Sequence, residues 1–344
     1  MKKNSFKTLQ NGHLDFSLLG FGGVPIGNLY RELTDEEAYA TVRSAWDEGI
    51  RYFDTAAQYG HGRSETRMGK VLNEYNRDDY LLSTKVGRIL EPCAPGDEDS
   101  GHFVNPPPFK IRYDYSYDGV MRALEEGLER LGHDHADIVY IHDVDVITHG
   151  SVEASDERID EVMKGGYHAL TKMRDEGVVK AIGAGVNEWE VCEKLANRGD
   201  FDLFLLAGRY TLLEQTALDS FLPMCEDRGI GIVLGGPYNS GILATGPIPG
   251  AKYEYSDASP EICAQVKNIQ DVCQSHGVEL AQAALWFPLG HPAVVSVIPG
   301  GQTPDEVRRN VQTLAKPIPA GLWAELKEKG LMREDAPVPD TTTI

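Results

Sequence analysis

The stretch TDEEAYATVRSAWDEGIRYFDT, residues 34–55, contains one full unit of the chain's repeating pattern: a helix, a stop and a strand. Thr34-x-x-Glu37 is a capping box, in which a hydroxyl and a carboxylate satisfy backbone N–H groups left over at a helix start. Ala38, Val42, Ala45 and Trp46 fall on one face at helical spacing, and Gly49 is placed to end the helix. Arg51 to Thr55 is then a short β-prone run.

The same alternation recurs along the chain. Short apolar runs at Leu18 to Gly22, Arg51 to Thr55, Tyr80 to Val86, Asp137 to His142, Val179 to Ala184, Leu203 to Ala207, Gly231 to Leu234 and Val294 to Ile298 are each followed by a segment of helical period. Strict β-α alternation implies a parallel sheet with right-handed crossovers. Eight units favour closure into a (β/α)8 TIM barrel, and 344 residues suit one such α/β domain spanning 1–344. Three regions stand outside the repeat. Residues 1–17, with Asn11-Gly12 at a primed-turn position, predict an N-terminal β-hairpin. Residues 88–115 and 235–259 predict long loops at the C-terminal mouth, where active-site loops of such barrels lie. The tail 317–344 is expected to pack over that same mouth.

Bulk composition narrows the function classes. The chain is 41% hydrophobic and 25% charged, the balance of an ordinary globular protein with a sizeable core. Acidic side chains outnumber basic ones by 53 to 33, and a net charge of -20 disfavours nucleic acid and anionic lipid as partners. Five scattered cysteines lack metal-ligand or C-x-x-C spacing, which suits a reducing compartment. Met1 to Gln10 has no apolar core of a signal peptide, and no run of ~18 apolar residues occurs, so a cytoplasmic location is expected.

Asp54, Lys85 and His142 each close a predicted strand, the second, third and fourth, and Tyr59 follows five residues after Asp54. Neighbouring barrel strands would bring the four to one rim. A free phenol titrates near 10, and an ammonium roughly 4 Å away would lower that by about two to three units at an effective dielectric near 20. Burial would oppose the shift. The expected arrangement is Tyr59 as the proton-transfer group, Lys85 as its acidifier, Asp54 holding the ammonium, and His142 orienting the reacting oxygen. Any one of these residues alone is compatible with a satisfied polar group at a strand end; four together point to chemistry. Asp143 is a candidate acceptor for a substrate hydroxyl. His133 and His135 read as a solvated turn, Asp145 and His149 as residues lining the mouth, and no metal site is expected.

These residues carry a resemblance. Phe53-Asp54-Thr55-Ala56-x-x-Tyr59-Gly60, Ser83-Thr84-Lys85-Val86 and Ile141-His142 are similar to the Asp, Tyr, Lys, His tetrad of the aldo-keto reductase family, and the likeness runs from the hairpin to Asn310. It implies an eight-stranded barrel binding NAD(P) in extended form. Asp114-Tyr115-Ser116, Ile141-His142-Asp143, Ala181 to Asn187, Leu206 to Leu213 and Asn239 to Leu243 resemble the branch of L-fucose, D-threo-aldose and L-galactose 1-dehydrogenases, with pyridoxal 4-dehydrogenase nearby. The activity so implied is oxidation of the anomeric carbon of an aldose to the lactone, with Tyr59 as general base. Pyridoxal oxidation and aldehyde reduction at the same site are alternatives, and a nucleotide-binding regulatory subunit is the non-enzyme one.

The resemblance also allots a cofactor groove: Gly22, Gly23, Asp54, Asn187, Gly236, Pro237, Tyr238, Ser240, Gly241, Pro299, Gly300, Gly301, Thr303, Arg309 and Asn310. Departures are visible. The Ser-Asn pair and Gln with which many members hold the carboxamide read here as Gly185-Val186 and Ala207. Asn187 either substitutes for them or caps the helix of Asn187-x-x-Glu190. The stacking aromatic falls at Gly235, with Tyr238 a candidate replacement. Gly236 to Gly241 reads equally as a pyrophosphate cradle and as a plain turn. The Lys and Arg that commonly hold a 2′-phosphate are replaced near Gly300 and at Glu306, where Thr303-Pro304-x-Glu306 also forms a helix start. Arg308 or Arg309 would restore a cation. The expectation is NAD preferred, NADP possible, with a sugar or aldehyde as substrate.

Overall fold

The computed structural model describes residues 6–9 and 14–340. Eight strands, β1 (Phe21–Gly22), β2 (Tyr52–Asp54), β3 (Leu81–Val86), β4 (Ile138–His142), β5 (Ala181–Val186), β6 (Leu203–Ala207), β7 (Gly231–Gly235) and β8 (Val294–Ile298), form one sheet in sequential order. Every pairing within it is parallel. Parallel bridges Leu19–Val297 and Gly22–Gly300 join the first strand's segment to the last and close the barrel.

The opening stretch folds as its residues dictate. Helix α1 (Asp35–Asp47) begins with both halves of the capping box, Glu37 N–H donating to Thr34 Oγ1 at 3.2 Å and Thr34 N–H to Glu37 Oε2 at 2.7 Å. Gly49 takes a left-handed φ of 87°, and its N–H donates to Trp46 O, ending the helix. The apolar face of α1, with Ala38, Val42 and Ala45 fully buried, joins the layer between helices and sheet.

A second cluster lies inside the barrel, where Tyr52, Leu81, Ile138, Tyr140, Ala181, Leu203, Leu205 and Val233 meet Leu9, Leu14 and Phe16. The last three come from the N-terminal hairpin, whose strands Phe6–Thr8 and Asp15–Ser17 pair antiparallel. Phe16 packs edge-on against Tyr52, with centroids 5.0 Å apart. The hairpin therefore plugs the end of the barrel at which strands begin, leaving the other end for chemistry. Its turn at Asn11-Gly12 lies outside the described residues.

Two expectations need correction. The region 88–115 is not a plain loop: Arg88–Pro92 and Phe109–Tyr113 pair as an antiparallel hairpin joined by irregular chain at 93–108. Within 235–259 the chain forms a helical turn, Ile242–Thr245, and a small hairpin, Lys252–Tyr253 with Ser256–Asp257. The tail reaches the connection that follows β6, where Arg333 N–H donates to Gln215 Oε1 at 2.8 Å. Its helix Ala320–Glu328 lies on helix Pro260–Ser275, with His276 Nε2 2.7 Å from Glu325 Oε2 and Trp323 against Phe287. Val338 closes on Gly290, just ahead of the start of β8, so the tail runs down the side of the barrel.

Candidate active site

Side chains alternate along a strand, and in a barrel every second one points inward. Tyr52 and Asp54, Ser83 and Lys85, Tyr140 and His142, and Gly183 and Gly185 are such pairs on consecutive strands, in register through Asp54–Ser83, Lys85–Tyr140 and His142–Gly185. A polar column results. The hydroxyl of Tyr52 is 3.0 Å from Ser83 Oγ and 3.1 Å from that of Tyr140, and Ser83 donates to Asp54 Oδ1 at 2.7 Å. Above it Lys85 Nζ donates to Asp54 Oδ2 at 2.6 Å and to Thr55 O at 3.0 Å. A Cβ on Gly185 would stand 3.1 Å from Lys85 Cε, so this glycine leaves the lysine its space.

Tyr59 sits in the turn after β2. Gly60 follows it at a left-handed φ of 65°, and a Cβ there would lie 2.1 Å from Gly27 O, so the close approach that fixes the turn requires glycine. The Tyr59 ring has Lys85 Nζ 4.6 Å from its centroid and meets His142 edge-on at 5.8 Å. Asp54, Tyr59, Lys85 and His142 thus gather at one rim.

The electrostatics differ from expectation in one respect. The Tyr59 phenol is not acidified; burial pushes it well above its ordinary value, and Asp54 and Asp143 push the same way. The ammonium lies over the ring and is tied to Asp54, so its charge is largely answered below the phenol. Burial, then the charges of Arg88 and Lys85, hold His142 well below the usual imidazole range, which leaves it neutral.

Asp143 adopts a left-handed φ of 43°, its N–H donating to Gly185 O. Its Oδ2 accepts from Arg88 Nη2 at 2.5 Å and lies 3.2 Å from His142 Nε2, and its Oδ1 accepts from Asn187 Nδ2 at 3.2 Å. Asn187 also donates its amide to Asp145 Oδ2 at 3.1 Å, and Arg209 Nε donates to Asn187 O at 2.7 Å. Asn187 does not cap the following helix, which starts at Trp189 with Glu188 at the cap. Burial foremost, with help from Asp145, pushes the Asp143 carboxyl up to about 6, while Arg88 and Lys85 pull it down.

The residues allotted to the cofactor divide in two. Cβ atoms on Gly23 and Gly300 would meet Ser64 Oγ at 2.7 Å and Pro25 Cγ at 2.5 Å, so packing accounts for these glycines, and one on Gly22 would be tight at 3.1 Å from Ile298 O. A Cβ on Gly241, at a φ of 105°, would meet nothing within 4 Å, and Gly236 is exposed; this backbone faces open space, as an extended dinucleotide needs. Tyr238 donates its hydroxyl to Asn310 Oδ1 at 2.8 Å, and Asn310 Nδ2 lies 3.4 Å from Gly300 O, bracketing the groove between the β7 loop and helix α2 (Pro304–Leu314). Thr303 caps α2, Glu306 accepts from Gln302 N–H at 2.7 Å, Arg308 pairs with Asp305, and Arg309 is exposed. These residues fit a nicotinamide dinucleotide.

Arg88 and Tyr255 carry no site role in the sequence reading, and Tyr115 and Arg209 enter it only within segments that carry the resemblance. Tyr115 donates its hydroxyl to the carbonyls of His142 and Asp143 at 2.8 and 2.9 Å. Tyr255 stacks on His102, with ring centroids 5.5 Å apart, and His102 meets Tyr30, so side chains from three loops clasp over the mouth. Arg88 had a signal: it follows Lys85 by three residues, just past a glycine at a strand end.

Comparison with known proteins agrees with this geometry. The sequence profile of the aldo/keto reductase family matches residues 18–330. The chain is 37% identical over 342 residues to pyridoxal 4-dehydrogenase of Microbacterium luteolum, covering 96% of this chain and 99% of that one. It is 40% identical over 319 residues to D-threo-aldose 1-dehydrogenase of a Pseudomonas species, covering 91% and 94%. Among solved structures, the holo form of a Bacillus halodurans aldo-keto reductase superposes with a TM-score of 0.74 at 24% identity over 98% of both chains, a likeness of fold.

Proposed function

The chain belongs to the aldo/keto reductase family and is an oxidoreductase of the nicotinamide-dependent kind, and from that premise we propose that it oxidises the anomeric carbon of an aldose to the lactone, with NAD+ preferred. The observation that carries the substrate reading is Asp143, a buried carboxylate held 3.2 Å from His142 and so able to accept a hydrogen bond from a hydroxylated substrate.

Tyr59 takes the proton of the anomeric hydroxyl as the C1–H bond breaks and the C1–O bond becomes a carbonyl. When bound, the nicotinamide supplies the acceptor for the hydride. Lys85, pinned by Asp54 and Thr55, keeps a positive charge against the Tyr59 ring, where it favours the phenolate during transfer. His142, neutral, orients the reacting oxygen. Gly236 to Gly241 and Gly300 to Asn310 would hold the dinucleotide. Near its adenosine end Glu306 is tied to Gln302 N–H and Arg308 to Asp305, an environment better suited to a ribose hydroxyl than to a 2′-phosphate.

The full-length match to a pyridoxal 4-dehydrogenase supports a second reading, in which the same groups oxidise pyridoxal. Incubation with NAD+ and either L-fucose or pyridoxal, followed at the absorbance of reduced nicotinamide, separates the two. Tyr59→Phe is expected to lower kcat by about 10²–10⁴-fold with cofactor binding unchanged; a variant that keeps most of its activity refutes Tyr59 as the base.

A further inference from the structure

Arg88 is not required by hydride transfer itself, yet it is built into the reaction centre. Strand β3 ends at Val86, Gly87 turns at a φ of 96°, and a Cβ there would stand 2.3 Å from the Tyr115 ring. The turn delivers Arg88 to the inside of the mouth, where its side chain is 5% exposed, lies 5.1 Å from the Tyr113 ring and donates to Asp143 Oδ2 at 2.5 Å. Burying two charges costs desolvation that their attraction barely repays, so such a pair contributes little to stability. Its place points to another use. Asp143 is strained into a left-handed backbone beside His142, and its two oxygens are steered by Arg88 on one side and Asn187 on the other.

The groups that face Asp143 come from every wall of the mouth. Arg88 and, farther off, Lys85 favour the carboxylate, and Asp145 opposes it. His142 and His149 are both held below the imidazole range, first by burial, and so are neutral; Tyr59, Tyr115 and Tyr255 are phenols kept protonated, first by burial. Arg88 is thus the one side chain in direct contact with Asp143, among the described residues, that brings a positive charge.

Resting on the aldose reading above, we infer that Arg88 is a positioning residue: it keeps Asp143 charged and aimed so that the carboxylate accepts a hydrogen bond from the substrate hydroxyl beside the reacting carbon, and the site thereby selects hydroxylated substrates over simple aldehydes. Protonated, Asp143 loses that acceptor. Activity on such substrates falls as pH drops through the Asp143 titration, near 6 in the intact site. Without the guanidinium, burial and Asp145 act unopposed at close range, and the titration moves upward.

The experiment compares kcat/KM against pH for the wild type, Arg88→Met, Arg88→Lys and Asp143→Asn, using L-fucose and its 2-deoxy counterpart. On top of the rise with pH that Tyr59 imposes on both sugars, the wild type shows an additional acid limb near pH 6 with L-fucose that is absent with the deoxy sugar. In Arg88→Met the limb moves up by about 1–3 pH units, with the loss carried by KM rather than kcat. Arg88→Lys returns the limb close to its original place, and Asp143→Asn removes both the limb and most of the preference for L-fucose. An Arg88→Met enzyme whose limb stays put, or which loses equally on both sugars, overturns the inference. Should Arg88→Met fail to fold, judged by nicotinamide binding, Asp143→Asn decides: an unchanged limb there also overturns it. Should no aldose be turned over, the aldose reading fails by itself, and the limb shift measured on pyridoxal still tests the hold of Arg88 on Asp143.

Discussion

Tyr59 and Lys85 lie close, but closeness alone does not make an acid. The phenol is held well above its ordinary value, first by burial and then by Asp54 and Asp143, while the lysine gives its hydrogen bonds to Asp54 and Thr55. The sign follows for each direction. Oxidation needs the phenolate, whose fraction rises tenfold per unit below the pKa; kcat/KM for oxidation should climb through pH 10 without levelling, while reduction, which uses the phenol, stays flat. A plateau near pH 8 in the oxidation profile would mean that the ammonium, not burial, governs the phenol. Gly185 tests the lysine by geometry. Its backbone is ordinary strand, so alanine is allowed, yet the new Cβ would lie 3.1 Å from Lys85 Cε and crowd the side chain from its seat. Gly185→Ala should cost at least tenfold in kcat and only about 1–3 kcal/mol in stability, read by steady-state kinetics and urea unfolding. Unaltered kcat would show that the lysine has room to spare.

At the scale of elements, the barrel strands were legible because buried parallel strands are continuous apolar runs, and the capping residues Thr34 and Thr303 mark where helices begin. The hairpin Arg88–Pro92 with Phe109–Tyr113 was not legible. Phe109–Tyr113 does alternate as Phe-Lys-Ile-Arg-Tyr, but its partner Arg88–Pro92 shows no alternation and carries Arg88, Glu91 and Pro92, so nothing in the sequence announces the pairing. The same limit hid the clasp over the mouth. Tyr30, His102 and Tyr255 come from three loops far apart in sequence, and Tyr30 and Tyr255 hold left-handed φ values of 61° and 63° that no residue preference predicts. Left-handed backbone at a bulky residue costs of order 1–3 kcal/mol, so these contacts must hold it. Tyr255→Ala should loosen the segment 236–258, speeding its cleavage by a protease in the absence of cofactor, whereas Tyr255→Phe keeps the stack and cleaves as the wild type does. Equal cleavage of all three proteins would mean the clasp contributes nothing to closure.

For the whole molecule the governing quantity is charge. A net -20 surrounds a site whose cations are already answered: Lys85 by Asp54, Arg88 by Asp143, Arg209 by Glu254, Arg308 by Asp305. A dinucleotide is itself anionic, so it approaches against the protein's field, and only contacts within the groove reward it. The field is screened with a Debye length of about 30 Å at 0.01 M salt and about 8 Å at 0.15 M. Binding should therefore tighten as salt rises over that range, the reverse of what a basic site gives. NADP+ bears the additional charge of its 2′-phosphate and feels the repulsion more, so its affinity should gain more than that of NAD+, and the preference for NAD+ should narrow with salt without inverting. Titration of intrinsic fluorescence with each dinucleotide at the two salt concentrations measures both quantities. Affinity that weakens for both cofactors as salt is added would place a net positive potential in the groove, with exposed Arg309 as its source, and would remove the electrostatic argument for NAD+.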